Sequence, residues 1–213
     1  MREVLHMHQA DICASGVLDE LGLTPKQYFI VSVHREENVD SPENLQQVVH
    51  CLKSLHQRYG FPVIVSTHPR TKSRLQELGE DLSGKDIRFL KPFGFFAYNK
   101  LQQASFCAVS DSGTISEESA MLGFPAVTLR NSIERPEALD AGSIVLTGLN
   151  ADVLLSAVEL AVTEKHAGEP CEIPQDYQVM NTSSRVVKLI MGTAKLTHQW
   201  RNMEDFSRYD WKQ

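Results

Sequence analysis

The sequence predicts an α/β fold in which a doubly wound parallel sheet carries helices on both faces. Short apolar runs of strand length alternate with segments that repeat apolar residues every three to four positions, which is typical of βαβ units. The apolar runs are almost continuous, as expected for strands that are buried on both faces. Because ligands bind beyond the carboxyl ends of the strands in such sheets, the segments that follow the strands are the candidates for function.

The strands are the clearest predicted elements. A leading segment, residues 1–23, shows no strand, and Thr24-Pro25 marks a boundary after it. Strands are then predicted at residues 28–33, 62–66, 87–90, 106–110, 125–129 and 144–147.

The helices lie between these strands, and the one after the first strand has the strongest signals. Ser41 is a good N-cap, Pro42 suits the first helical position, and Gly60 ends the helix. Its apolar stripe consists of Leu45, Val48, Val49, Leu52 and Leu55. Further helices are predicted up to residue 78 and at residues 95–104, 114–122 and 152–164, followed by a loop at 166–178 and a polar helix at 179–205.

Composition sets the class of protein and excludes some partners. The chain has 213 residues, 42% of them hydrophobic, which suffices for one large domain or for one and a half small ones. A formal net charge of −6 argues against a broad nucleic-acid surface. The four cysteines form no CxxC pair, which predicts single thiols in a reducing compartment. Without a signal peptide or a membrane-spanning apolar run, the sequence predicts a soluble cytoplasmic protein with no membrane partner.

The stretch 105–137 is predicted to organise the functional edge. It is read as a strand, an Asp-Ser-Gly turn, a helix and a second strand. Thr114 and Glu117 fit a capping box at the start of that helix. A glycine-containing turn that leads into a helix N-terminus suits a phosphate. An ordinary turn with a good cap is the alternative.

The segments that follow the strands are HREEN, THPR, KPFG, DSG and RNSIERPE. They carry cationic side chains, which are His34, Arg35, His68, Arg70, Lys91, Arg130 and Arg135. Because this acidic chain collects cations and a helix N-terminus along one edge, the pattern favours an anionic, phosphate-bearing ligand.

Three segments carry a family signature in order: VSVHREENVDSPENL at 31–45, STHPR at 66–70 and VSDSGTISEESAMLGFPAVTLRNSIERPEALDAG at 109–142. Over about residues 25–165 they resemble the C-terminal half of the non-hydrolysing UDP-N-acetylglucosamine 2-epimerases. HREEN and DSGTISEES are similar to the capsule and O-antigen branch, which epimerises a UDP-linked 2-acetamido-2,6-dideoxy-L-sugar on the route to N-acetyl-L-fucosamine. The resemblance implies a Rossmann-like domain, the C-terminal half of a glycosyltransferase-B type two-domain fold with UDP in the cleft.

The resemblance also implies a domain scheme and partners. Residues 1–24 would connect to an N-terminal domain that the chain lacks, and residues 25–165 would bind UDP. Residues 166–213 would cross back toward the missing domain. The chain is then a truncated form or half of a split protein, and the full-length enzyme is expected to be a homodimer.

For the diphosphate, the resemblance assigns Ser112 and Gly113, with Arg35 nearby. Thr114 stands where many family members have a second glycine, which makes a backbone N–H role at that position less secure. Glu118 would accept hydrogen bonds from the ribose hydroxyls; the alternative is a solvated helix carboxylate.

For the rest of the ligand, the resemblance places His68 and Arg135 along the cleft, with Pro92 and Tyr98 beside the uracil. Arg135 could equally pair with Glu134 or Glu137.

His34 is the predicted catalytic residue. The family abstracts the proton at C2 as UDP leaves, then adds UDP back with that proton on the opposite face. His34 would protonate or neutralise the leaving oxygen; the alternative is a strand-end histidine bonded to backbone. No cofactor and no metal are implied. A glycosyltransferase of the same fold and a non-catalytic UDP-sugar-binding module are the rival functions.

Overall fold

The computed structural model describes residues 1–168 and 172–196. The chain forms two compact units, residues 1–178 and residues 179–213, which are described separately.

The first unit contains a parallel sheet of six strands. The strands are β1 (Phe29–Ser32), β2 (Val63–Ser66), β3 (Ile87–Leu90), β4 (Cys107–Ser110), β5 (Ala126–Thr128) and β6 (Val145–Leu146). Their order is β3-β2-β1-β4-β5-β6, and every pair is parallel. The sheet therefore grows outward in two directions from β1 and β4. This confirms the predicted doubly wound, Rossmann-like α/β fold.

The helices of this unit connect the strands and cover both faces. They are α1 (Arg2–Met7), α2 (Gln9–Ala14), α3 (Val17–Leu21), α4 (Glu36–Val39), α5 (Pro42–Tyr59), α6 (Pro69–Glu77), α7 (Phe95–Ala104), α8 (Ile115–Leu122), α9 (Pro136–Asp140) and α10 (Ala151–Ala167). A 3₁₀ turn follows at Gln175–Gln178.

Alternate residues of the strands face two separate cores. Phe29 and Val31 of β1 belong to one core, with residues of α5 and α10. Tyr28 and Ile30 belong to the other, with residues of α3, α7 and α8. This alternation follows from the two-residue period of a strand, and it explains why the strand sequences are apolar throughout.

The predicted elements agree closely with the structure at the strands and at α5. The first strand, for example, is Phe29–Ser32 against the predicted 28–33. The Ser41 hydroxyl accepts a hydrogen bond from the Asn44 N–H at 3.2 Å, a cap worth about 1 kcal/mol. Gly60 ends α5 with φ of 69°, a conformation that glycine adopts without strain.

Three segments contain more helix than the sequence predicts. The leading segment forms α1 to α3, and Val17 is buried in the same core as Ile30. The HREEN segment forms α4, and the ERPE segment leads into α9 at Pro136. Both lie in stretches read as loops, because helices this short carry no apolar period of their own.

The second unit is described by the helix α11 (Thr182–Thr193). It lies within the predicted polar helix 179–205, of which residues 197–205 fall outside the described residues. Val186 and Leu189 of its apolar side are exposed. Among the described residues of the whole chain, no helix is long and apolar enough to cross a membrane.

Candidate functional site

The site is built where the sheet changes direction. β1 and β4 are neighbours at the centre of the sheet. The chain continues from β1 to β2 on one side of this pair, and from β4 to β5 on the other side. The loops that follow these two strands therefore meet above the carboxyl edge, where α/β proteins bind ligands. In register, Ser32, Ser66 and Ser110 end three adjacent strands, which places a row of hydroxyl-bearing residues at this edge.

Asp111 joins the two loops. Its side chain is fully buried and accepts hydrogen bonds from the backbone N–H groups of His34 at 3.1 Å and Arg35 at 2.9 Å. The Asn38 side-chain amide donates a further bond at 3.0 Å, and His34 Nδ1 lies 3.3 Å from Oδ1. In return, the Asp111 carbonyl accepts from Arg35 Nε at 3.0 Å. A buried carboxylate with this many donors fixes the β1 loop relative to the β4 loop.

His34 is held by this junction rather than by a backbone carbonyl, which was the alternative considered from sequence. Its ring is half exposed, and Nδ1 faces Asp111. The other ring nitrogen, Nε2, is left for a ligand. The arrangement orients a proton-carrying group at the edge of the site.

The loop after β4 leads into the N-terminus of α8. Ser112 N–H donates to the Ser110 hydroxyl at 3.0 Å, and the Ser112 and Thr114 hydroxyls lie 3.0 Å apart. The predicted capping box is wrong: Thr114 has helical φ and ψ, and its side chain makes no capping bond. Glu117 instead pairs with Arg135. The helix start is thus left without a side-chain cap.

Gly113 carries the open part of this loop. Within the described chain, no acceptor is found for its N–H. Its φ is not positive, and an added Cβ would come no closer than 3.8 Å to a neighbour, Arg135 Nε. The fold therefore tolerates a side chain here, and the free N–H at a helix N-terminus is available to an anion.

Glu118 is buried, which contradicts the solvated-carboxylate alternative. Its side chain accepts a hydrogen bond from Gln102 Nε2 of α7 at 2.7 Å. Burial raises the pKa of Glu118, while the hydrogen bonds from Gln102 and Thr114 act in the opposite direction. Glu118 is therefore a positioned carboxyl group behind the β4 loop, and its burial raises its pKa.

The predicted cations lie at this edge, but four arginines are already paired. Arg70 binds Glu36 and Asp40, and Arg135 binds Glu117 rather than Glu134 or Glu137. Both side chains thus lie at this edge with carboxylate partners. These partners lie in α4, directly after α4 and in α8, and the sequence does not show that they meet the arginines.

Arg35 and Arg130 share one carboxylate, that of Glu134. Arg130 contacts it with both terminal nitrogens at 2.5 Å, and Arg35 Nη1 lies 3.2 Å away. The hydrogen bonds from Arg130 lower the pKa of Glu134 to about 2. Lys91 is exposed and has no ion pair within the described part of the chain. Fewer positively charged side chains are therefore free to bind a ligand than the sequence suggests.

His68 and His34 line one cavity of about 290 Å³. It is lined by Ser32, His34, Ser66, His68, Arg70 and Pro92. His68 caps α6, and its Nδ1 accepts from the Arg70 N–H at 3.3 Å. In the neutral ring, Nε2 then carries the proton and can donate to a ligand.

Tyr98 lies on α7, beside the end of β1. Burial, ahead of the nearby Glu118 carboxylate, raises the pKa of its hydroxyl, which hydrogen-bonds with Ser32 and Ser110. Pro92 is exposed at the cavity rim. The two residues lie at the same edge, with the Tyr98 hydroxyl directed at the sheet.

A larger cavity, of about 510 Å³, lies at the opposite edge. It is lined in part by Gly123, Pro125, Ile144 and Lys165, which precede β5 and β6 or end α10. None of the predicted site residues lines it. The predicted site residues therefore lie at the smaller of these two cavities, or outside both, and not at the larger one.

Comparison with known proteins decides the family. A model of the family described as UDP-N-acetylglucosamine 2-epimerase matches residues 1–191. The chain belongs to this family. The family resemblance and its C-terminal half, predicted from three motifs, are thus confirmed.

Two curated relatives show the extent of the sequence similarity. A UDP-N-acetylglucosamine 2-epimerase of Methanocaldococcus jannaschii is 38% identical over 141 residues, 65% of this chain and 38% of the relative. A UDP-2,3-diacetamido-2,3-dideoxy-D-glucuronate 2-epimerase of Pseudomonas aeruginosa is 30% identical over 150 residues, 70% of this chain and 41% of the relative.

Solved epimerase structures share its fold. The Rickettsia bellii UDP-N-acetylglucosamine 2-epimerase has a TM-score of 0.80 at 38% identity, covering 93% of this chain and 53% of that one. The Methanocaldococcus jannaschii enzyme in complex with UDP-GlcNAc and UDP has a TM-score of 0.78 at 30% identity, covering 89% and 52%. The chain spans about half the length of these relatives, or less.

Sequence reasoning missed three residues of this candidate site: Asp111, Asn38 and Gln102. Asp111 was read as part of a turn. The available signal was a carboxylate directly at the end of a buried strand, facing another loop with a candidate ligand residue. Asn38 and Gln102 carry no local signal, because their role depends on contacts 73 and 16 residues away.

Proposed function

We propose that this chain is the nucleotide-binding half of a UDP-sugar 2-epimerase. The observation that carries the proposal is the free Gly113 N–H at the start of α8, next to His34 across the Asp111 junction. A helix N-terminus with an unused donor suits the diphosphate, and the His34 ring contacts Asp111, two residues before Gly113. The family match over residues 1–191 supports this assignment.

In this proposal, each site residue binds a different part of the UDP-sugar. Ser112 and Gly113 hold the diphosphate, Glu118 accepts from the ribose, and Pro92 and Tyr98 flank the uracil. Arg35 and Arg135 line the diphosphate side only when they exchange their present carboxylates for phosphate oxygens. His68 presents Nε2 to the ligand from the adjoining cavity.

The proposed chemistry inverts C2 of a UDP-linked 2-acetamido sugar. Loss of the C2 proton accompanies loss of UDP, and UDP then adds back as a proton arrives on the opposite face. The departing diphosphate gains negative charge, so N–H donors aimed at it stabilise the transition state. His34 protonates or neutralises the leaving oxygen, and Asp111 holds its ring in place.

The chain requires a partner for turnover. It offers one wall of the site, and its relatives are about twice as long. We propose that a second domain supplies the opposite acid–base groups, that the full enzyme is a homodimer, and that it acts in the cytoplasm. The domain bounds 1–24, 25–165 and 166–213 and the fucosamine branch stay predictions. The diacetamido-glucuronate relative supports a UDP-linked acetamido sugar as the substrate class, and a role in capsule or O-antigen precursor synthesis stays a prediction.

Binding tests the nucleotide half of this proposal. Calorimetry with UDP is expected to show binding to the chain and at least about a tenfold loss in Gly113→Ala, because a methyl group blocks the approach of the phosphate to the loop. Gly84→Ala is the matched control: its φ is also not positive, and its nearest neighbour lies 3.5 Å from the added Cβ. Equal affinity in the two variants would contradict the assignment.

Turnover tests the enzymatic half. The chain is incubated with UDP-sugar in deuterated water, and C2 exchange is followed by NMR. We expect UDP binding without exchange, because losing one positioned acid–base group costs about 10²–10⁴ in rate. Exchange at about 1 s⁻¹ or faster would show that this half carries the whole catalytic site. Transfer to an added acceptor would instead identify a glycosyltransferase.

A further inference from the structure

The Glu118 carboxylate is held by two elements. Gln102 donates to Oε2 from α7 at 2.7 Å. Thr114 lies one helical turn before Glu118, where its carbonyl accepts from the Glu118 N–H at 2.9 Å and its side chain lowers the pKa of the Glu118 carboxyl. Gln102 is 1% exposed and Glu118 is 7% exposed, so neither side chain is free to rotate into solvent. A carboxylate bound on both sides keeps one orientation.

Thr114 extends this contact to the diphosphate loop. Its hydroxyl lies 3.0 Å from the Ser112 hydroxyl, and the Ser112 Oγ also accepts from the Thr114 N–H at 3.4 Å. The polar side chains thus run in sequence from Ser112 through Thr114 and Glu118 to Gln102.

Gln102 has one further property that points to a dedicated role. Its Oε1 is buried and has no hydrogen-bond partner in the described structure. An unpaired buried acceptor costs free energy, so the amide is not explained by core stability alone. Its N–H bond to Glu118 is the one polar contact that the described side chain makes.

We propose that Thr114 and Gln102 are positioning residues that hold the Glu118 carboxylate and the Ser112 hydroxyl at a fixed spacing. The ribose and the diphosphate of one nucleotide are then bound as a single rigid unit. This inference rests on the proposed function. It adds two residues that act through their neighbours rather than through contact with the reacting atoms.

The test compares Thr114→Val, which keeps the shape but loses the hydroxyl, with Thr114→Ser, which keeps the hydroxyl. Affinity for UDP is measured by calorimetry and for uridine by ligand-observed NMR. Thr114→Val is expected to weaken both ligands by at least about fivefold, and Thr114→Ser to recover most of that loss. Gln102→Leu is expected to weaken both ligands, because the Glu118 carboxylate loses its Nε2 donor. The urea midpoint should fall as well, so affinity is measured under conditions where the variant is folded.

Four results would overturn the inference. Wild-type affinity in Thr114→Val would show that the hydroxyl holds nothing that the ligand uses. Loss of UDP affinity with unchanged uridine affinity would show a phosphate contact instead of a bridge to Glu118. Equal losses in Thr114→Val and Thr114→Ser would show a packing effect. Failure of the wild-type chain to bind UDP would refute the proposed function, and this inference with it.

Discussion

The loop after β4 and the loop after β5 lie at the same edge of the sheet, but they are held in different ways. Asp111 in the first is fully buried and accepts from two backbone N–H groups of the β1 loop. Glu134 in the second is exposed and pairs with the part-exposed Arg35 and with the buried Arg130. Buried hydrogen bonds to backbone fix geometry, whereas the pair of Glu134 with Arg35 is screened by solvent and exchanges readily. The β4 loop is therefore the preformed part of the site.

Replacing Asp111 is expected to have the largest effect. Asp111→Ala leaves the N–H groups of His34 and Arg35 and the Asn38 amide without their shared acceptor. The free energy of unfolding should fall by about 3 kcal/mol or more, since each unpaired buried donor costs about 1–3 kcal/mol. Urea denaturation measures this, with Asp111→Asn as the variant that keeps one acceptor oxygen. A loss below about 1 kcal/mol would show that the junction is not what fixes the loops.

Glu118 is expected to control nucleotide affinity. Glu118→Ala should lose at most about 1.5–3 kcal/mol of UDP affinity for each charged hydrogen bond removed. Calorimetry on the folded variant measures the change. Unchanged affinity would leave Glu118 with only the structural contact to Gln102.

The titration of Glu118 is expected to affect two quantities in opposite directions. As the pH falls, the free energy of unfolding should rise and the affinity for UDP should fall. Burial raises its pKa in the folded chain, so the folded state binds the proton more tightly than the unfolded state. Lowering the pH from above the folded pKa toward the ordinary carboxyl range therefore adds stability. UDP affinity should fall over the same window, because the ionised form accepts the ribose hydrogen bonds.

Urea denaturation and UDP titration across that window measure the two trends. Tyr98 and the Glu117–Arg135 pair are the charged or titratable groups nearby. Glu118→Gln is the control, because it removes the titratable carboxyl at position 118 and leaves every other titratable group unchanged, including the phosphates of UDP. If both trends persist in Glu118→Gln, another group is responsible.

Glu134 should show the smallest effect on UDP binding. Glu134→Ala is expected to lower the urea midpoint, because it leaves the buried Arg130 guanidinium without its bidentate partner. It also frees Arg35, so UDP affinity should rise by about two- to threefold at low salt, and the gain should vanish at high salt. A loss of affinity would show instead that Glu134 holds Arg35 in its binding position.

The sequence predicts the parts of this molecule that depend on local or periodic signals. The strands follow from short apolar runs, and α5 follows from Ser41, its apolar stripe and Gly60. The loops that carry the site follow from the carboxyl-edge rule for parallel sheets. The Ser112-Gly113 turn is predicted by the same rule, because it follows a strand and precedes a helix.

The partners of charged side chains were not predictable in this way. Arg35 meets Glu134 across 99 residues, and Arg70 meets Glu36 across 34. The capping box at Thr114 failed because Glu117 is drawn to Arg135 and the threonine hydroxyl to Ser112. Such choices are made by tertiary contacts, which compete with the local motif.

A crystal structure of the chain grown with UDP tests the central claim most directly. The β-phosphate is expected within about 2.7–3.2 Å of the Gly113 N–H, with His34 beside it and Asp111 unchanged from its present contacts. Nucleotide density in the larger cavity at the amino edge, or anywhere away from the β4 loop, would contradict the account.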